Sequence, residues 1–209
     1  MRPDWDDDSP ELRVNLARVH DSVEAEAYRR ALPTVESARA WQRRIMCNLD
    51  VPDPGYIGAF RGEPGLEDCQ VTVGGRWGVA ADQVAQALSA FERRLQQAVA
   101  YLDALILAGA PLSTDQGKAI IELCAWTHAE WVRIHPFANG NGRTARIWAN
   151  SIAMRYGLPP FLRLRPRPAG AYGASCAQAM LGNWTPTADC FHQLLEDFCR
   201  EIDSKPSPP

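Results

Sequence analysis

Between His135 and Arg146 the sequence reads HPFANGNGRTAR, which places a proton acceptor, a glycine-spaced turn and two guanidinium groups close together. His135 is the one side chain in this stretch that titrates near neutrality, so it is the candidate general base for drawing a proton from a hydroxyl nucleophile. Gly140, Asn141 and Gly142 let the backbone approach a ligand closely, and at the start of a helix their N–H groups offer an anion site with the positive end of the helix dipole behind it. Arg143 and Arg146, three residues apart, share a helix face and can reach one anion, with Asn141 adding side-chain donation. Positive charge at a helix N-terminus is unfavourable unless an anion answers it. The kit therefore suits nucleotide phosphates. Pro136 and Phe137 read as structure, the one stiffening the loop and the other plugging the core.

An apolar helical pattern running up to Val132, with Ile120, Ile121, Cys124, Thr127, His128 and Trp131 turned inward, must deliver His135. A second pattern from Asn141 to about Tyr156, ended by Gly157 and Pro159, must aim its N-terminus at the phosphates. Around this pair the spacing predicts helices over about Pro10–Leu32, Thr34–Leu49, Ala80–Leu107, Ala171–Leu181 and Pro186–Ile202. Residues 51–65, rich in proline and glycine, read as a structured loop. Gln70 to Trp77 alternates around Gly74-Gly75 and reads as a short hairpin. The fold class is all-α with that one hairpin.

At 209 residues with 46% hydrophobic and 22% charged residues, the chain suits one soluble domain. A net charge of -3 predicts no direct nucleic-acid partner. No apolar run reaches membrane-spanning length, so no membrane association is expected. The six cysteines, most at positions that look like core, show no metal-ligand spacing. With an acidic start lacking an apolar signal region, they point to a reducing, cytoplasmic setting.

The stretch His135 to Arg146 resembles the Fic (filamentation induced by cAMP) signature, HPFx(D/E)GNGRxxR, matching it at His135, Pro136, Phe137, Gly140, Asn141, Gly142, Arg143 and Arg146. Gly58-Ala59-Phe60-Arg61 is similar to the family's G-x-(F/Y)-R turn, and Val71 to Gly75 looks like its hairpin flap. The segment from Ala171-Tyr172 onward resembles its C-terminal helices. The resemblance implies a helical Fic/Fido core with the flap beside the active site, over residues 32–203, preceded by a segment and helix at 1–31 and followed by a disordered tail at 204–209. It further implies transfer of AMP from ATP to a Ser, Thr or Tyr hydroxyl of a target protein, with release of pyrophosphate and Mg²⁺ as the metal. His135 would then be the base, Gly140 to Arg146 the phosphate site, and the flap residues Val71, Thr72 and Val73 a docking edge for an extended target segment.

The chain departs from the signature at Asn139, where the family carries the acid that helps hold Mg²⁺; a neutral amide oxygen ligates more weakly. Two alternatives stay open on that account. One is transfer with another donor (UMP, phosphocholine or phosphate) or removal of AMP, and the other is a nucleotide-binding regulator with weakened catalysis. Family members are often restrained by a helix bearing Ser or Thr, then Glu four residues on, then Gly or Asn. Ser22 to Ala27 meets all but the last position, which makes Glu26 a candidate inhibitory residue. A separate antitoxin-like protein is the other form of restraint the family implies.

Overall fold

The structure, a computed structural model, describes residue 2 and residues 4–204. Seven α-helices, one two-stranded hairpin and two short 3-10 turns (Pro54–Tyr56 and Ala81–Gln83) make up the regular structure among them: α1 Pro10–Tyr28, α2 Val35–Ile45, β1 Thr72–Val73, β2 Arg76–Trp77, α3 Val84–Leu105, α4 Thr114–Ile134, α5 Asn141–Arg155, α6 Tyr172–Ala179 and α7 Thr185–Asp203. The expected tail falls largely on residues 205–209, outside the described residues.

Helices α4 and α5 form the centre. Helix α4 packs against α3, α5, α6 and α7, and α5 packs against α1 and α2 as well. A capping box opens α4: the Ser113 hydroxyl accepts from Gln116 N–H at 3.2 Å and the Gln116 side chain accepts from Ser113 N–H at 2.9 Å. Between the helices, Trp41, Phe91, Trp131 and Trp148 pack edge-on or tilted around one point. Helix α1 adds Leu12, Leu16, Val19 and Val23 to the same core. No helix among the described residues is long and apolar enough to cross a membrane.

Several element ends differ from the sequence reading. Helix α1 stops at Tyr28 rather than Leu32, because Arg30 turns into the left-handed region (φ 51°) ahead of Pro33. Helix α2 begins after its cap, Thr34, and ends at Ile45, with Asn48 (φ 59°) turning the chain. Only Thr72 and Val73 of the expected strand pair, opposite Trp77 and Arg76; Val71 lies just before them, its carbonyl accepting from Gly78 N–H at 3.1 Å. Both turn glycines have positive φ, as a two-residue hairpin turn requires. The cysteines are less buried than expected: Cys124 and Cys190 are buried, Cys69 and Cys176 half-buried, and Cys47 and Cys199 exposed.

Candidate active site

His135 is the residue at which α4 ends. It caps the helix in the left-handed conformation (φ 53°), its N–H donating to the Trp131 carbonyl at 2.9 Å, and this turn swings the imidazole out of the helical path. Its Nδ1 lies 3.0 Å from the Val132 carbonyl oxygen. A carbonyl only accepts, so Nδ1 carries the proton and Nε2 keeps a lone pair, the tautomer a general base needs. Burial lowers the His135 pKa from its ordinary value, the Val132 contact works against that, and the Arg61 guanidinium lowers it further, so the ring is neutral at pH 7.

The loop that follows is locked by its own side chains. Asn141 accepts from Phe137 N–H at 2.9 Å and donates to the Phe137 carbonyl at 2.8 Å, using both ends of its amide. Asn141, expected to donate to phosphate, is the clamp that closes the turn. Phe137 is fully buried against Phe60 and Trp131, as a core plug should be, and the Pro136 carbonyl accepts from Arg61 N–H at 2.7 Å. Gly140 enters α5 at φ 92°, a conformation that a side chain would strain, and a Cβ there would press on Met46 at 3.0 Å. No side chain caps α5, which leaves the first N–H groups of that helix available to an anion. Trp131 Nε1 donates to Thr144 Oγ1 at 2.8 Å, fixing the start of α5 against α4.

The two arginines differ in their surroundings. Arg143 donates to the Trp5 carbonyl and to Asn139 Oδ1, both at 2.9 Å, and lies 3.5 Å from the Asp6 carboxylate. Burial lowers its pKa to about 10; Asp6 opposes this, while Arg165 and Arg146 add to it. Arg146 donates to the Tyr172 hydroxyl at 3.2 Å and the Leu164 carbonyl at 2.7 Å, and its buried Nε has no partner. Both acceptors are neutral. Tyr172 in turn lies 2.7 Å from His128 Nε2. Burial, reinforced by Arg146, takes the His128 pKa down to about 3, and burial keeps the Tyr172 phenol protonated. Arg146 also lines the turn, since a Cβ on Gly142 would sit 3.4 Å from its Nη1.

Asn139, expected as the remaining metal ligand, has its oxygen engaged by Gly140 N–H and Arg143, and its amide nitrogen donates to Asp6 at 2.8 Å. An oxygen shared with a guanidinium is a poor ligand for Mg²⁺, and the loop carries no carboxylate. The donor set as arranged does not fit that ion. Glu26 is not brought to Arg146. It borders a cavity with Trp148, Ser151, Ile152 and Arg155, at the other end of α5.

The sequence reading left Arg61 without a role. At 1% exposure it donates to the carbonyls of His135 (2.7 Å), Ile134 (3.0 Å), Cys69 (3.1 Å) and Val79 (2.6 Å). It thus ties both ends of the hairpin segment to the end of α4. Gly78 completes that join, because a Cβ on it would lie 2.9 Å from His135 Cβ. The hairpin is therefore rooted beside His135. The signal was present: an arginine directly after Ala59-Phe60 in an otherwise loop-like stretch. His128 was placed on the inner face of α4, but its partnership with Tyr172 spans 44 residues and is beyond periodicity.

The Fic/DOC family model matches residues 33–153. Protein adenylyltransferase fic-1 of Caenorhabditis elegans is 46% identical over 66 residues, 32% of this chain and 13% of that protein. The chain thus matches a small part of that relative's length. A Fic domain containing signaling protein from Bacteroides thetaiotaomicron VPI-5482 superposes with a TM-score of 0.61 at 19% identity, covering 89% of this chain and 70% of the other. BepC from Bartonella tribocorum, solved with bound AMPPNP, gives 0.56 at 17% identity, covering 88% and 85%.

Proposed function

The chain belongs to the Fic/DOC family, and from that premise we propose that it is a protein adenylyltransferase, moving AMP from ATP to a Ser, Thr or Tyr hydroxyl of a target protein. The observation that carries this reading is the pairing of a neutral His135, its Nε2 free to accept a proton, with an uncapped helix N-terminus flanked by Arg143 and Arg146. The adenylyltransferase name of the sequence relative and the AMPPNP held by a structural neighbour agree with it.

In the reaction, His135 Nε2 takes the hydroxyl proton as the oxygen attacks the α-phosphorus, and the bond from that phosphorus to the bridging oxygen breaks, releasing pyrophosphate. The N–H groups at the start of α5 hold the phosphate oxygens while Arg143 and Arg146 take the charge that builds on the leaving group. The target segment lies along the exposed edge at Thr72, pairing by main-chain hydrogen bonds, a mode that tolerates many sequences. Because Asn139 is committed to Arg143, no step is assigned to Mg²⁺.

Intact-mass analysis of the protein and of lysate proteins after incubation with ATP tests the proposal. An AMP-sized increase with wild type, reduced about 10²- to 10⁴-fold in rate by His135→Ala, is expected. Adducts of another mass, or an unchanged rate in the variant, contradict it. The engaged amide of Asn139 supports one second reading, a nucleotide binder that transfers little; binding of ATP with no adduct on any protein selects it.

A further inference from the structure

Residues 4–9 lie across the phosphate side of the site. The Trp5 carbonyl takes Arg143 Nη1 at 2.9 Å, and the Asp6 carboxylate faces Nη2 at 3.5 Å while accepting from Asn139 at 2.8 Å. Arg165 joins them: it donates to the Asp6 carbonyl at 2.8 Å, and its Nε lies 4.0 Å from Asp8. The segment is also placed by its own bonds, Trp5 N–H to the Asp50 carbonyl at 3.1 Å and Asp7 N–H to the Asp4 carbonyl at 3.1 Å, with the Trp5 ring stacked on Tyr56.

We propose that Trp5 to Asp8 form a detachable acidic strap that fills the Arg143–Arg165 side of the site as an anion would, so that polyphosphate binds there by displacing it. The inference rests on the nucleotide reading above and adds its regulation, together with a third phosphate-facing arginine, Arg165.

Three observations carry it. First, the groups the strap occupies are those a polyphosphate needs: Arg143, with Trp5 on one Nη and Asp6 facing the other, and Arg165, with one Nη on the Asp6 carbonyl. A strap carboxylate and a polyphosphate on one guanidinium repel each other, so binding of one opposes the other. Second, the strap is lightly held. Asp6, Asp7 and Asp8 are exposed, Asp6 with 67% of its side chain in solvent; Asp8 accepts from Arg13 at 3.1 and 3.3 Å, a pair itself open to solvent, and Trp5 is the one large apolar anchor. Segments with so little buried apolar area open at low cost. Third, its removal leaves a charge pattern that calls for several negative groups, since burial and the neighbouring Arg165 and Arg146 already depress the Arg143 pKa with the strap in place. The strap is separate from the α1 residue Glu26, which lies at the far end of α5.

The geometry also argues against the strap serving the bound nucleotide through a cation. The Asp6 oxygen is met by a neutral amide N–H and a guanidinium, both hydrogen-bond donors, and among the described residues no group of three or more His, Cys, Asp or Glu side chains is placed to hold a metal ion.

The test uses the full chain and the double variant Asp6→Asn/Asp8→Asn, with inorganic pyrophosphate and a non-hydrolysable ATP analogue as separate probes. Calorimetry reads affinity, and amide hydrogen exchange reads residues 4–9. The expected result is faster exchange of that segment when either probe is added to wild type, and about three- to fivefold tighter binding by the double variant, the effect of removing partly exposed charge pairs. Unchanged or slowed exchange, or equal or weaker binding by the double variant, overturns the proposal. Displacement by pyrophosphate with no binding of the ATP analogue to either protein keeps the strap and removes the adenylyl reading. Tight binding of the analogue with the strap unmoved does the reverse.

Discussion

Helix α5 carries buried arginines at both ends, and the chain answers them differently. At the C-terminal end, Arg155 forms two hydrogen bonds to Asp103 and one to the Ala31 carbonyl, with Arg30 3.6 Å from the same carboxylate. Its charge also lies where the helix dipole favours it. At the N-terminal end, the 5%-exposed Arg146 lies against the dipole and rests on a phenol and a carbonyl, one nitrogen unpartnered. Among the described residues no carboxylate forms an ion pair with it. Burying a cation without a counter-charge costs stability, so the arrangement makes sense where a ligand supplies the missing anion. Arg155 is answered by a carboxylate of the fold; Arg146 has only neutral partners. Arg143 falls between them, answered by an exposed carboxylate on a lightly held strap.

Removing the structural arginine should break the comparison most visibly in stability. Arg155→Met leaves Asp103 partly buried without its main partner, and about 2–3 kcal/mol should be lost, discounted for the carboxylate's partial exposure. Urea unfolding with an unchanged m-value checks this. A loss under about 0.5 kcal/mol, within the range of an ordinary surface substitution, would mean that the ion pair does not support the fold.

The two ends also separate on a pH axis. His128, behind Arg146, has a folded pKa of about 3 against an ordinary 6.5. Its unfolded form therefore gains a proton that the folded form refuses, and stability should fall by about 1.4 kcal/mol per unit as pH drops below 6.5. For Asp103, burial pushes the pKa up, but the Arg155 hydrogen bond and charge, with Tyr156 and Arg30, bring it below the usual 3.8. Its contribution is complete above 3.8 and is lost as pH falls through the lower folded value. The N-terminal end should thus weaken first on acidification. Melting temperatures from pH 7 to 4.5 that fall in wild type and fall less steeply in His128→Phe, where His135 with its lowered pKa still contributes, would support this, whereas superimposable slopes would contradict it.

What the sequence made legible follows the range of its signals. The loop between α4 and α5 was readable because its glycines, histidine and arginines are contiguous, and helical spacing marked both flanking elements. The role of Asn141 was not, because a short amide reaches backbone and phosphate equally well, and only the turn's closure decides between them. Arg61 escaped because its four acceptors are main-chain carbonyls, which leave no trace in side-chain pattern. The contacts of Trp5 and Asp6 with Arg143 and Asn139 span more than a hundred residues, and nothing in an acidic segment says what lies beneath it. Helix ends drifted where a left-handed residue, Arg30 or Asn48, stopped a segment otherwise rich in good helix formers.

The central claim is that Arg146 is kept without a counter-charge for the phosphates, and Arg146→Met tests it in one comparison. Affinity for a non-hydrolysable ATP analogue and thermal stability without nucleotide are measured on wild type and variant. Affinity about 100-fold weaker, the cost of losing a buried charge-assisted pair, is expected, with a melting temperature equal to or above that of wild type. Affinity unchanged within about twofold, or a loss of stability matching that of Arg155→Met, would show that Arg146 is another structural arginine.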